Sequence, residues 1–168
     1  ELNENKFNRT GYTFIGWTSS VAAGYYGESA EACTNAITTS VEIADKSFIK
    51  NLANANGTTV TLTAVWAANY YALSVAGNQG TVTVAVVGGN ALDANAINNL
   101  YVLYGSTGLY YAAEAPENER AEGVVSVTHS AERTGYTLQG YGEASTSTTY
   151  IIEKNGEVLK NAATGAVS

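Results

Sequence analysis

Few side chains in this chain could do chemistry, and none is arranged for a recognisable reaction. His129, the single histidine, lies in "SVTHSAE" beside Ser126 and Ser130. Acyl transfer would need a serine on a Gly-x-Ser-x-Gly elbow opening a helix, and none is present. At its alternating spacing His129 reads as a strand residue. Glu114, Glu117, Glu119 and Glu122 cluster in "EAPENERAEG". They could hold a cation loosely but lack the spaced oxygen ligands of an EF-hand, so they read as a solvated loop. Cys33 stands alone, which excludes an internal disulfide, and with one histidine it cannot complete a structural zinc site. It reads as a small buried or half-buried thiol, the alternative being a cross-link to another subunit. "GNQG" and "VVGGN" are turn glycines, since no G-x-x-x-x-G-K-[ST] or G-x-G-x-x-G occurs. The expectation is a chain that is not an enzyme, with no cofactor and no metal site.

Composition narrows the class further. Of 168 residues 45% are hydrophobic, enough for a core, whereas 14% are charged. Thr, Asn, Ser and Gly supply most of the polarity, a mixture that suits strands and turns. The net charge of −7, with eight scattered basic residues, argues against nucleic acid, because phosphate binding needs clustered Lys and Arg. No apolar run is long enough to span a bilayer as a helix. Without an initiator Met or signal peptide, a chain opening "ELNENKF" is expected to be a processed product or an excised fragment, export being the simplest route.

Period-two alternation is the strongest local signal. "TTVTLTAVW" places Val60, Leu62, Ala64 and Trp66 on one face and Thr59, Thr61, Thr63 and Val65 on the other. "YYALSVAG" and "GTVTVAVVGG" alternate too, and Gly77-Asn78-Gln79-Gly80 between them predicts a hairpin. "NNLYVLYG", "LYYAAE" and "GVVSVTHS" read as three more strands, and "TTYIIEKNGEVLKN" as a second hairpin through Asn155-Gly156. Helix is expected only at Ser29–Ile37 and at Ala91–Leu100, the latter with Asn90 as its cap.

One phrase occurs twice. "NRTGYTFIGW" at 8–17 returns as "ERTGYTLQGY" at 132–141, with Arg9, Thr10, Gly11, Tyr12, Thr13 and Gly16 matching Arg133, Thr134, Gly135, Tyr136, Thr137 and Gly140. Phe14 becomes Leu138 and Trp17 becomes Tyr141. A second block follows in the same order: "FIKNLA" at 48–53 resembles "VLKNAA" at 158–163, with "VAAGYYGESAEACTNA" as an insertion in the first copy. Two ordered blocks point to an internal duplication. Tyr12, Phe14 and Trp17 are expected on a buried face, with Gly11 opening the strand from a turn and Gly16 permitting a bend or bulge.

R-T-G-Y-T-F-x-G-W, followed some distance on by T-V-T-L-T-A-V-W, resembles the Listeria–Bacteroides repeat, also called the internalin B-repeat. Gly11, Tyr12, Thr13, Phe14, Gly16 and Trp17 match the family's phrase, and Thr61, Leu62, Ala64 and Trp66 match its closing strand. The resemblance covers most of 2–66 and, more weakly, 101–163. It implies compact β-grasp-like modules strung along bacterial surface proteins, without catalytic residues. The fold expected is therefore mainly β: two small repeat modules, 1–68 and 69–168, each with at most one short helix.

The departures from the family pattern shape the functional expectation. The first module appears without its opening strand and the second without its closing strand. Burying the Val, Leu and Trp of such a strand is worth roughly 1.5–3 kcal/mol each, and its loss bares backbone donors and acceptors. A spare strand within the chain ("GTVTVAVV"), a neighbouring subunit or the rest of a longer array could make good the deficit. In the paired tyrosines Tyr25-Tyr26, Tyr70-Tyr71 and Tyr110-Tyr111, one ring of each is expected to face solvent or a partner. Tyr26, Tyr71, Tyr111, Val60, Leu62 and Trp66 are thus candidate interface residues. The reading is a self-associating structural subunit of an extracellular bacterial surface filament or sheath. The alternative is an adhesive segment that binds a host or cell-surface glycan or protein.

Overall fold

The computed structural model describes residues 1–116, 121, 123–142 and 152–154. The protein is mainly β, built from several small antiparallel sheets, and the chain divides into two compact units, Glu1–Ala67 and Ala68–Ser168. The hairpin expected through Asn155-Gly156 lies outside the described residues, apart from the short strand at Ile152–Glu153.

In the first unit, β1 (Tyr12–Ser19) pairs with β5 (Leu62–Ala68), while β2 (Tyr25–Gly27) lies between β3 (Asn35–Ala36) and β4 (Phe48–Lys50). Ser20 N donates to Thr61 O at 2.9 Å and Thr18 Oγ1 to Thr63 O at 3.5 Å, so the first two strands run in opposite senses. Thr61, Thr63 and Val65 thereby turn their backbone toward β1, and Leu62, Ala64 and Trp66 turn theirs away. The alternation read from the sequence is correct, although the strand begins at Leu62 rather than at Thr58.

The core of this unit is Trp17, Ile37 and Ile43, with Leu2, Phe14, Tyr26, Ile49, Leu62 and Ala64 among the side chains packed on it. In a regular strand Phe14 and Trp17 would point to opposite faces. Their rings instead meet edge to face at 5.0 Å, because Gly16, at φ 156°, breaks the pleat between them. Trp17 exchanges two backbone hydrogen bonds with Ile43, each 2.8 Å long. A Cβ at Gly16 would stand 2.9 Å from the Ile43 carbonyl oxygen, so the approach requires glycine.

No helix forms over Ser29–Ile37. Ser29 Oγ accepts from Ala32 N in a turn, β3 follows, and Ile37 N donates to Gly24 O at 3.0 Å. The reason is Cys33: its thiol is 2% exposed and donates to Tyr25 O at 3.1 Å and Phe48 O at 3.4 Å, joining β2 to β4. A helix would draw that side chain out of the sheet. The same burial favours the packed-thiol reading of Cys33 over a cross-link.

Among the described residues, the main sheet of the second unit has five antiparallel strands in the order β6 (Tyr70–Leu73), β8 (Leu100–Leu103), β9 (Leu109–Tyr111), β10 (Val125–Glu132), β7 (Thr81–Val86). A further pair, β11 (Gly140–Tyr141) with β12 (Ile152–Glu153), contributes Tyr141 and Ile152 to the core over one sheet face. That core also holds Val75, Val84, Ala96, Leu100, Val102, Leu109 and Val127.

The hairpin expected between the strands at 70–73 and 81–86 is absent. Its turn forms: Gly80 N donates to Gly77 O at 2.8 Å, and Asn78 and Gln79 have φ of 44° and 68°, a type I′ geometry. The flanking strands nevertheless pair elsewhere, β6 with β8 and β7 with β10, and lie at opposite margins of the sheet. The helix expected at Ala91–Leu100 shrinks to a 3-10 turn, η1 (Ala94–Asn98), capped by Asp93 Oδ1 on Asn95 N rather than by Asn90. Asn90 O instead accepts from Val86 N, and Leu92 N donates to Val84 O at 2.7 Å, so this segment covers the outer margin of β7. The onset of β8 at Leu100 leaves no length for more helix.

Candidate functional site

The twice-spelled phrase gives the same local structure in both copies. Tyr12 N donates to Arg9 O and Tyr136 N to Arg133 O, each at 3.0 Å, with Gly11 at φ 76° and Gly135 at φ 79°. Positive φ at the third residue of a closed turn defines type II, and glycine takes it without strain. Each arginine folds back over its tyrosine, Arg9 at 3.8 Å from the Tyr12 ring centroid and Arg133 at 4.0 Å from that of Tyr136. Gly16 and Gly140 share the second break, at φ 156° and 152°.

The two copies diverge at the aromatic that ends the phrase. In the first, Trp17 Nε1 donates to Asp45 Oδ1 at 3.4 Å. The same carboxylate accepts from Asn5 N at 3.0 and 3.1 Å, and Leu2 N donates to Ser47 O, which ties down the segment before β1. Glu4 pairs with Lys46 at 3.1 Å on the surface, a contact that holds the Lys46 ammonium above its ordinary pKa and contributes little stability.

In the second copy Tyr141 meets His129. The phenol oxygen lies 3.2 Å from Nδ1 and the rings stand edge to face at 4.7 Å. His129 pairs with Val84 across β10 and β7, so it shares the core face with Val127 and Ala131. Its Nε2 is buried with no hydrogen-bond partner among the described residues. Burial lowers the imidazole pKa and raises that of the Tyr141 phenol. His129 lies on a strand, as its alternating spacing predicts, whereas nothing in the sequence pattern names Tyr141 as its partner. The signal was the alternation of Val125, Val127, His129 and Ala131, which sets the histidine on the inward side. Asp45, within "IADKS", carried no comparable signal.

The candidate interface residues fall into separate groups. Tyr26 and Leu62 pack on the Trp17–Ile43 core, Trp66 meets Phe14 edge to face at 5.6 Å, and Val60 is half-buried just ahead of β5. Tyr71 and Tyr111 pack on the core of the second unit. Of the rings expected to face solvent or a partner, Tyr25 is 43% exposed. In the other two pairs both rings are half-buried. Tyr70 OH donates to Pro116 O at 2.9 Å, and Tyr110 OH bonds Ser106 Oγ at 3.0 Å, because the sheet's second face is also covered at this end.

Of the acidic cluster, Glu114 is exposed and Glu117, Glu119 and Glu122 lie outside the described residues. Among the described residues no group of three or more His, Cys, Asp or Glu could hold a metal ion, and no helix is long and apolar enough to cross a membrane. No protein-family model matches the chain, and no curated protein or solved structure matches it.

Proposed function

We propose that this protein is a non-enzymatic structural subunit of an extracellular bacterial filament or sheath, assembled through β-strand contacts between copies. The observation that carries the reading is β5, which has seven residues and, among the described residues, a strand neighbour on one side only. Leu62, Ala64 and Trp66 turn their amides toward that open margin. A strand margin of this length is a ready template for another chain. The second sheet lends support by contrast. Its β7 margin is covered by Asn90–Leu92 from the same chain, while β6 at the other margin has no described strand beyond it. The resemblance to surface-protein repeats, carried by the phrase itself, points the same way.

Electron microscopy and sedimentation of the purified chain test the proposal. Concentration-dependent polymers are expected, and Ala64→Pro, which removes an outward amide from β5, is expected to abolish them. Ala72→Pro makes the equivalent change on β6 and should leave assembly intact if β5 is the contact. Monodisperse globules of the unaltered chain at every concentration would end the proposal.

A second reading, an adhesive or glycan-binding segment, draws on Tyr136, which is 67% exposed and held in place by Arg133. Aromatic rings presented in this way suit stacking on sugars. Glycan-array binding that is lost in Tyr136→Ala, without self-association, would select it.

A further inference from the structure

We propose that His129 and Tyr141 form an acid-sensitive latch that holds the β11–β12 pair over the core face of the second unit's sheet. The chain leaves β10, turns through Arg133–Tyr136 and returns as β11, so Tyr141 is carried back over the strand that bears His129. There it meets the imidazole through one hydrogen bond of 3.2 Å and an edge-to-face ring contact at 4.7 Å. Tyr141 pairs with Ile152 across β11 and β12, and both side chains belong to the core. What holds the tyrosine therefore holds the pair.

Protonation works against this arrangement in either tautomer. If neutral His129 donates from Nδ1 to the phenol, Nε2 carries a lone pair; the added proton becomes a charged N–H with no acceptor among the described residues. If Nδ1 instead accepts from the phenol, protonation makes it a donor, the hydroxyl proton must rotate away, and the buried Nε2–H, without an acceptor among the described residues, takes on charge. A buried donor left unpaired is costly, and more so when charged.

Among the described residues the surroundings offer no compensation. Across β7 the core face presents Val82, Val84 and Val86, β10 itself presents Val127 and Ala131, β9 presents Leu109, and β12 presents Ile152. Tyr141 is the titratable group facing the ring from the described elements, and burial is the sole cause of the imidazole's lowered pKa. Glu132 lies on the opposite face of β10, and Arg133 turns to Asn78 O and Gln79 Oε1. Acid thus stabilises any state in which β11–β12 has lifted and the imidazole meets water.

NMR of the full chain tests this by combining the imidazole titration with amide exchange corrected for its intrinsic pH dependence. The expected midpoint for His129 lies below the ordinary 6.5. Protection of the β11 and β12 amides should fall roughly tenfold for each pH unit between the free and the folded midpoints. The amides of β8 and β9 should hold their protection. His129→Phe keeps a ring in place and should remove the pH dependence at β11–β12. A midpoint at or above 6.5, or the same loss of protection in His129→Phe, would overturn the latch. Should that variant not fold, Tyr141→Phe removes the hydrogen bond alone. It should lower protection at neutral pH while the acid response, which burial of the imidazole causes, persists; unchanged protection at neutral pH, or loss of the acid response, would equally overturn the latch.

Discussion

The hydroxyl of Tyr141 lies 3.2 Å from Nδ1 of His129, each ring half-buried on the core face of the second unit. Burial moves the two pKa values in opposite directions, the imidazole down and the phenol up. Because the folded imidazole binds its proton less readily than the unfolded one, stability falls as pH drops below 6.5 and levels off below the folded value. Because the folded phenol keeps its proton longer, stability also falls as pH rises through 10 toward the raised value. Thermal melts across pH should show both losses. His129→Phe should remove the acid-side loss, and Tyr141→Phe the alkaline one.

Gly16→Ala should be the more damaging of two glycine substitutions. Its methyl would meet the Ile43 carbonyl at 2.9 Å and part the Trp17–Ile43 bridge, whereas Gly57, at φ 79°, has nothing within 4 Å of a Cβ. The expected cost at Gly57 is the backbone term, about 1–2 kcal/mol. At Gly16 overpacking adds about 1–3 kcal/mol to the strain. Urea unfolding of the two variants measures the difference.

The two arginines of the repeated turn should differ in worth. Arg9 contributes its contact with Tyr12, about 0.5–1 kcal/mol at an exposed site. Arg133 also donates to Asn78 O at 3.1 Å and Gln79 Oε1 at 2.9 Å, fastening the type I′ turn to the type II turn. Arg133→Ala should therefore cost more than Arg9→Ala, by about 1 kcal/mol in denaturant unfolding. Arg133→Lys should recover little, since lysine cannot make the forked contact.

Cys33 should resist thiol reagents in the folded protein. Its sulfur is buried and bonded to two strand carbonyls, so modification must wait for unfolding of the first unit. Ellman's reagent should react at a rate that rises with urea in step with the loss of structure. Rapid reaction in native buffer would contradict the packing described.

Where sequence and structure agree, the reason is local. Alternation at Leu62–Trp66 and Val125–Ala131 set the faces of β5 and β10, since neighbours along a strand point oppositely whatever lies beyond them. Gly11 marked the turn ahead of β1, which forms as type II and recurs at Gly135, because positive φ at that position is a steric matter for four residues. Even the type I′ turn at Gly77–Gly80 formed as its residues require. The partner of His129 and the packing of Tyr26, Tyr71 and Tyr111 on the two cores had no such marker, because a period-two pattern does not name the neighbour across the sheet.

The amino-acid order by itself thus determined a β-rich chain, the repeated arginine–glycine–tyrosine turn, and which residues of each strand share a face. Only the tertiary structure decided which strands are neighbours. It parted β6 from β7 despite a competent turn, turned Ser29–Ile37 from helix into a sheet edge around Cys33, and brought Tyr141 onto His129. The physical reason is range. Turn and pleat follow from sterics between adjacent residues, whereas strand order follows from which distant apolar faces bury together, and that choice outweighs the preference of any short segment.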